Sequence, residues 1–249
     1  MKFKCKDVAF LLIARFDSID RLENALVVTD YLVRNFDAKI YLFEYASFNN
    51  SIFEKLKPKG IEYFFFHDEN PILHRTKHLN KMINNTLEKY VSIWDVDVVA
   101  PIIQVVKAIE LLRKGADFVY PYDNYFYDTS REIRKGFFLN RNIDFLSQNI
   151  SFMSELYPPN PVGGAFFANR QSYIESGLEK EQFYGWGVED GERFSRWKIQ
   201  GRKVERVQGP LFHLTHDRGI NSVTPFFYSQ LTKRRIYRLL SQEELWKSI

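Results

Sequence analysis

The sequence predicts an α/β fold with a largely parallel sheet covered on both faces. Two observations predict it. Short, continuous apolar runs such as "VAFLLIA" (8–14) and "AKIYLFEY" (38–45) recur through the first half of the chain, and unbroken apolarity belongs to strands buried on both sides. Between them stand segments with apolar residues at helical spacing, the order that parallel β–α–β connections produce.

The first strand is 8–14. "SIDRLENALVVTDYLVRNF" then sets Leu22, Leu26, Thr29 and Val33 on one helical face, with Asp17 or Ser18 as the cap. Strands follow at 38–45 and at "IEYFFF" (61–66). A second helix spans about 73–89, with Leu79, Met82, Ile83 and Leu87 on one side. "YVSIW" (90–94) is the fourth strand. A third helix starts after Pro101, a residue suited to a first helical turn, and ends near Lys114, before Gly115. "DFVYPY" (117–122) is the fifth strand. The polar and aromatic stretch 123–161 lacks clean periodicity and reads as an excursion that carries part of a binding site, or as a lid. "GGAFFAN" (163–169) returns to strand, an acidic segment opens a helix that stops at Gly201, and "KVERV" and "LFHLTHD" are strands.

Composition narrows the function. The chain has 249 residues, 45% hydrophobic and 27% charged, as in globular proteins. The aromatic share of 16% supplies core, and also flat platforms for bases and sugar rings. A net charge of +4 is too small and dispersed to indicate nucleic acid. Cys5 is the single cysteine, which excludes an internal disulfide and a cysteine metal cluster. There is no Gly-rich phosphate loop of the dinucleotide or Walker kind. The run Val8–Ala14 is too short for a secretory signal, and no stretch reaches the ~20 apolar residues of a membrane helix. The expected location is the cytoplasm. The tail carries Lys233, Arg234, Arg235 and Arg238 beside Leu239, Leu240 and Trp246. That composition would suit peripheral contact with the inner face of an anionic membrane, although a solvated terminal helix is the first reading of it.

Ligands of such sheets sit beyond the carboxyl ends of the strands. That edge carries Arg15 and Asp17 after the first strand, Glu44 near the end of the second, and Asp95 and Asp97 after the fourth. Two carboxylates spaced by two suit a hard cation, Mg²⁺ or Mn²⁺, with positions left open for a diphosphate. In a continuing strand they would point to one side. His213 and His216 are spaced by three, so joint ligation requires a turn or bend there; as an isolated pair they read first as hydrogen-bonded structural histidines. In "FYGWGVEDGERFSRW" (183–197), Glu189, Asp190 and Glu192 fall in a first helical turn, where the dipole favours negative charge.

The stretches "HRTKHLN", "WDVDVVAP", "GGAFFAN", "YGWGVEDGERFSRW" and "LFHLTHDRG" stand in the order seen in the β-1,4-galactosyltransferase family and its bacterial relatives. The chain resembles that family, whose members are inverting glycosyltransferases of GT-A fold, a mostly parallel central sheet flanked by helices. The resemblance implies that Asp97 ligates Mn²⁺ (or Mg²⁺), that Asp95 lies near the nucleotide ribose and the metal, and that His216 is the metal histidine. His213 stands where animal members carry a methionine ligand. Arg15, Asp17, Arg75, Lys77 and Asn80 would hold the donor nucleotide, with Arg75 near its phosphates. Gly164, Trp186 and Glu189 would meet the acceptor, and Asp190 would be the catalytic base.

The implied domain is 1–225, with a nucleotide-binding half at 1–122 and an acceptor-binding, catalytic half at 123–225, followed by a helical tail at 226–249. The donor would be a UDP-sugar carrying galactose or N-acetylgalactosamine, and the acceptor a glycan or glycolipid in surface-polysaccharide or lipid-linked glycan synthesis. Ala14 departs from a proline common in the family. Gly191–Glu192 replaces further aspartates, and 123–160 does not match animal members. The membrane anchor and disulfides of animal members are not seen, which fits a bacterial enzyme. A metal-dependent nucleotide-sugar or phosphoester hydrolase, or a non-catalytic carbohydrate-binding module, could use parts of the same constellation.

Overall fold

The computed structural model describes residues 2–185, 187–219, 221, 237, 238 and 242. Trp186 and most of the 226–249 tail lie outside the described residues, and so do the expectations attached to them.

The first half alternates as expected. β1 (Phe3–Ala14), β2 (Phe36–Ala46), β3 (Glu62–His67) and β4 (Tyr90–Trp94) are joined through α1 (Ile19–Asn35), a short α2 (Ile52–Leu56) and α3 (Arg75–Asn85). The chain continues through β5 (Val98–Val99), α4 (Ile102–Arg113) and β6 (Phe118–Tyr120). Then come β7 (Phe126–Asp128), α5 (Arg131–Asn140), α6 (Ile143–Gln148), β8 (Ser154–Glu155), β9 (Ala165–Asn169) and α7 (Arg170–Glu175). α8 (Glu189–Ile199), β10 (Val204–Arg206) and β11 (Leu211–His213) complete the described elements.

Seven strands form the main sheet in the order β10-β6-β9-β4-β1-β2-β3. β1 pairs in parallel with β2 and β4, β2 with β3, and β10 with β6, while β9 runs antiparallel between β4 and β6. β4 is the central strand, and β1 lies beside it inside the sheet, where every residue from Val8 to Ala14 is buried. Phe10, Trp94 and Phe167, on adjacent strands, pack edge to face at 5.6–6.0 Å. On the other side of β9, Trp197 of α8 stacks on Phe118 at 3.6 Å and locks that helix to the sheet. A second, four-stranded sheet has the order β5-β11-β7-β8.

Several boundaries differ from the sequence reading. Ser18, not Asp17, caps α1, its hydroxyl accepting from the Arg21 N–H at 3.3 Å. α3 ends at Asn85, where the Thr86 hydroxyl donates to the Met82 carbonyl. Leu87, expected on the apolar face, therefore falls in the turn into β4 and is 92% exposed. The stretch 123–161 is ordered into two strands, two α-helices and a 3-10 turn at Ile150–Phe152. Ser130 and Asn142 cap those helices, and Arg134 anchors the first of them to Asn24 and Glu23 of α1. The longest of these elements, α5, has ten residues and buries Arg134 and Phe137 on one side; the others are too short to show a period. No helix among the described residues is long and apolar enough to cross a membrane.

Candidate active site

The chain changes sheets between β4 and β5, and this change builds the site. β4 ends at Trp94, whose indole N–H donates to the Val98 carbonyl at 2.9 Å and closes a tight turn over 95–97. Because the strand does not continue, Asp95 and Asp97 part company. Asp95 receives Arg75, from the first turn of α3, at 2.5 Å. Asp97 turns towards β11, where the Leu214 N–H donates to the Asp97 carbonyl at 2.7 Å.

β11 ends at His213, and the following loop supplies the bend that joint ligation requires. The Thr215 N–H is held by the Thr129 hydroxyl at 3.0 Å, and the two imidazole centroids lie 5.2 Å apart. Asp97 Oδ2 is 3.1 Å from His216 Nε2 and 3.8 Å from His213 Nε2. One ligand atom from each residue lies within 4.8 Å of the other two. Donors about 2.1 Å from a shared ion at right angles stand about 3 Å apart, so one carboxylate and two imidazoles here fit a divalent cation. Burial opposes ionisation of Asp97, yet His213 and His216 hold its carboxyl well below the usual carboxylate range. Burial likewise opposes a charge on His213, but Asp97 and Asp128 push its pKa up to about 9.

The acidic segment forms the opposite wall. Val188 caps α8 without a side-chain bond, which leaves Glu189, Asp190 and Glu192 as the acidic first turn. Helix capping and a functional role are thus compatible, but the three carboxylates separate. Glu192 is buried against Arg196 at 2.7 Å, whereas Glu189 and Asp190 line the cavity. Asp190 Oδ1 accepts from Arg193 at 2.6 Å, and Arg193 in turn binds Glu179 at 3.0 Å. Asp190 Oδ2 lies against the backbone of Gly163, where an added Cβ would stand 2.7 Å away. Gly164 has φ +80°, and a Cβ there would come within 2.8 Å of Leu211.

These walls enclose a cavity of about 420 Å³, a volume suited to a small ligand. Arg15, Arg75, Asp95, Asp97 and His213 line it, with His216, Gly164, Glu189 and Asp190. The guanidinium of Arg15 is occupied by the Tyr45 and Asn70 carbonyls and by Asp68. Burial works against the charge of Arg75, but Asp95, with Asp190 and Glu189 beyond it, holds its pKa up.

Three expected donor residues are not in the described wall. Lys77 is exposed on α3. Asn80 spends its amide on the Glu179 carbonyl and on Glu181, tying α3 to the segment before α8. Asp17 pairs with Arg21 at 3.1 Å and accepts from Asn221 at 2.8 Å. Glu44 lies inside β2, bonded to the Tyr63 hydroxyl at 2.8 Å. The sequence reading missed Arg193, although its i,i+3 spacing from Asp190 signals a helical ion pair. It also missed Asp128, and Arg21, Tyr157 and Arg218, which line the cavity.

Comparison of the sequence with curated proteins gives no match. A family model described as the N-terminal domain of galactosyltransferase matches residues 150–217, the span that contains Gly163, Asp190, His213 and His216. Among solved structures, the catalytic domain of Drosophila β1,4-galactosyltransferase 7 in complex with xylobiose is similar. It has 14% identity and a TM-score of 0.52, over 93% of this chain and 79% of that one. A mutant of that Drosophila enzyme with manganese, UDP-Gal and xylobiose has 14% identity and a TM-score of 0.53, with the same coverage, 93% and 79%. Glucosyl-3-phosphoglycerate synthase of Mycobacterium tuberculosis, in complex with Mn²⁺, UDP and phosphoglyceric acid, has 15% identity and a TM-score of 0.54, over 94% and 78%. The chain therefore carries the GT-A fold, and over residues 150–217, which bear much of the site, it resembles the galactosyltransferase family.

Proposed function

We propose that the protein is a metal-dependent, inverting glycosyltransferase that moves galactose or N-acetylgalactosamine from a UDP-sugar to a hydroxyl of a glycan or glycolipid. One observation carries the reading: the Asp97–His213–His216 donor set and the Asp190 carboxylate open into one cavity, beside the Arg75–Asp95 pair. The contents of the similar structures, UDP or UDP-Gal with manganese and xylobiose or phosphoglyceric acid, support the same class.

Asp97, His213 and His216 would hold the cation. Two imidazoles favour Mn²⁺ over Mg²⁺, which prefers an all-oxygen shell. When bound, the cation neutralises charge on the departing nucleoside diphosphate. Arg75, kept cationic by Asp95, faces the phosphates, and Arg15 backs the nucleotide side. Asp190 takes the proton of the attacking acceptor hydroxyl at Oδ2, since Arg193 occupies Oδ1. Gly163 leaves room for that oxygen. Glu189 and Gly164 form the acceptor side. Residues 1–122 then serve mainly the donor and 123–225 the acceptor. The setting is surface-polysaccharide or lipid-linked glycan synthesis on the cytoplasmic side of a bacterial membrane, with the basic tail of 226–249 as its membrane contact. Asp17, Lys77 and Asn80 are left out of the donor site.

The test is a thermal-shift and transfer panel of UDP-, GDP-, CMP- and dTDP-sugars, each with Mn²⁺ and with EDTA. Stabilisation by one UDP-sugar, abolished by EDTA and in Asp97→Ala, is the expected result. Release of free sugar at full rate without an acceptor would instead identify a hydrolase. Absence of any metal-dependent nucleotide response from folded protein would overturn the reading.

A further inference from the structure

We propose that Asp128 is a positioning residue of the metal centre, holding the His213 ring so that Nε2 faces the position shared with Asp97 and His216. The inference rests on the metal reading above.

β7 and β11 run in parallel with His213 directly opposite Asp128. Asp128 Oδ1 lies 2.7 Å from His213 Nδ1, while the other ring nitrogen, Nε2, lies 3.8 Å from Asp97 Oδ2. A carboxylate that accepts from Nδ1–H keeps the hydrogen on that nitrogen and leaves the Nε2 lone pair for an ion. The backbone of His213 is fixed independently, because the Thr129 N–H donates to the His213 carbonyl at 3.0 Å. What remains for the Asp128 side chain to set is rotation of the ring and the placement of its hydrogen.

His216 is held in a different way. Its Nδ1 lies 2.8 Å from the Asp217 backbone carbonyl, a bond made to the main chain rather than to a side chain. The two imidazoles therefore present Nε2 to Asp97 through unlike supports, one from the backbone and one from Asp128. Only the second can be removed by a single side-chain change that leaves all three donors in place.

The experiment is titration of the full chain with Mn²⁺ alone, followed by the EPR signal of free Mn²⁺ and repeated with Co²⁺ to read the ligand-field absorption. Asp128→Ala is expected to weaken Mn²⁺ binding about 10–100-fold and to change the Co²⁺ spectrum. Asp128→Asn, which keeps an acceptor oxygen, should recover part of the affinity. Asp128→Thr replaces the alanine variant if that one folds poorly, since a β-branched residue suits a strand. Asp97→Ala and His216→Ala serve as references. If these two lose Mn²⁺ while Asp128→Ala and Asp128→Thr bind like the parent with an unchanged Co²⁺ spectrum, the positioning role is overturned and the metal reading stands. If Asp97→Ala and His216→Ala also bind like the parent, the metal reading itself falls.

Discussion

Arg193 Nη2 lies 2.6 Å from Asp190 Oδ1, one turn apart on α8, and the same guanidinium is held from behind by Glu179 at 3.0 Å. Its face packs on Phe166 at 4.3 Å. The proposed base is thus gripped by an arginine that is itself almost wholly buried and neutralised by a second carboxylate. The arrangement fixes one carboxylate oxygen and leaves the other to the cavity.

Removing that arginine strands the buried Glu179 charge. Arg193→Met is expected to destabilise the protein by about 3–5 kcal/mol, the range for breaking a buried ion pair by deleting one partner. Urea unfolding followed by circular dichroism reads this as a lower midpoint; a midpoint equal to the parent's would show that the pair contributes nothing.

A methyl group on residue 163 acts on the same carboxylate from the other side. The backbone of Gly163 lies outside the left-handed region, so alanine is tolerated there, but its Cβ would stand 2.7 Å from Asp190 Oδ2. Gly163→Ala should lower kcat by about a hundredfold, the scale of a misplacement near 1 Å, and leave UDP-sugar affinity unchanged. Parent-like kcat would remove Oδ2 from the proton transfer.

These two relationships also mark how much was legible in the sequence. The strands of the main sheet announce themselves as apolar runs, and the ligand edge follows from their order, so Arg15, Asp95 and Asp97 could be placed by rule. The bend that joins His213 to His216 was required by their spacing. The parting of Asp95 from Asp97 was not legible, because it depends on β5 pairing with β11, residues 98–99 with 212–213. Asp128 was hidden for a similar reason: its meeting with His213 is a register between strands far apart in sequence. Asn80 and Lys77 show the converse, where a motif pointed to the donor while tertiary contacts hold Asn80 and Lys77 lies exposed on α3.

His78 predicts an acid-sensitive fold. Its ring is stacked on Tyr45 at 3.7 Å, and burial lowers its pKa to about 4 against the pull of Asp68. In the unfolded chain it titrates near its usual value of about 6.5. Between those values the unfolded state binds a proton that the folded state refuses, so stability falls as pH drops from about 6.5 towards 4 and is unaffected above that window. The full difference corresponds to about 3 kcal/mol. Unfolding midpoints of the parent and His78→Phe, measured across pH 4–8, should diverge in this window; parallel curves would place the acid sensitivity elsewhere.

Metal removal should weaken the protein without unfolding it. Asp97 already has His216 at 3.1 Å and His213 at 3.8 Å as partners, so no buried charge is abandoned when the ion leaves. Saturating Mn²⁺, at about 100 times its dissociation constant, should add about 2.7 kcal/mol by mass action, and EDTA should return the midpoint to the apo value. Loss of circular dichroism in EDTA would contradict this account.

Asp97 and His216 are separated by 119 positions in the chain, and the second sheet is what brings them together. A growing chain therefore owns one member of the proposed ligand set long before it owns the others. Until β11 has been made and has zipped onto β5 and β7, there is an aspartate without imidazoles and no place for the ion to stay. On the proposed ligand set, metal retention would report that synthesis has passed β11: a product truncated before it could still present the apolar strands of the first half, but it would let the cation go.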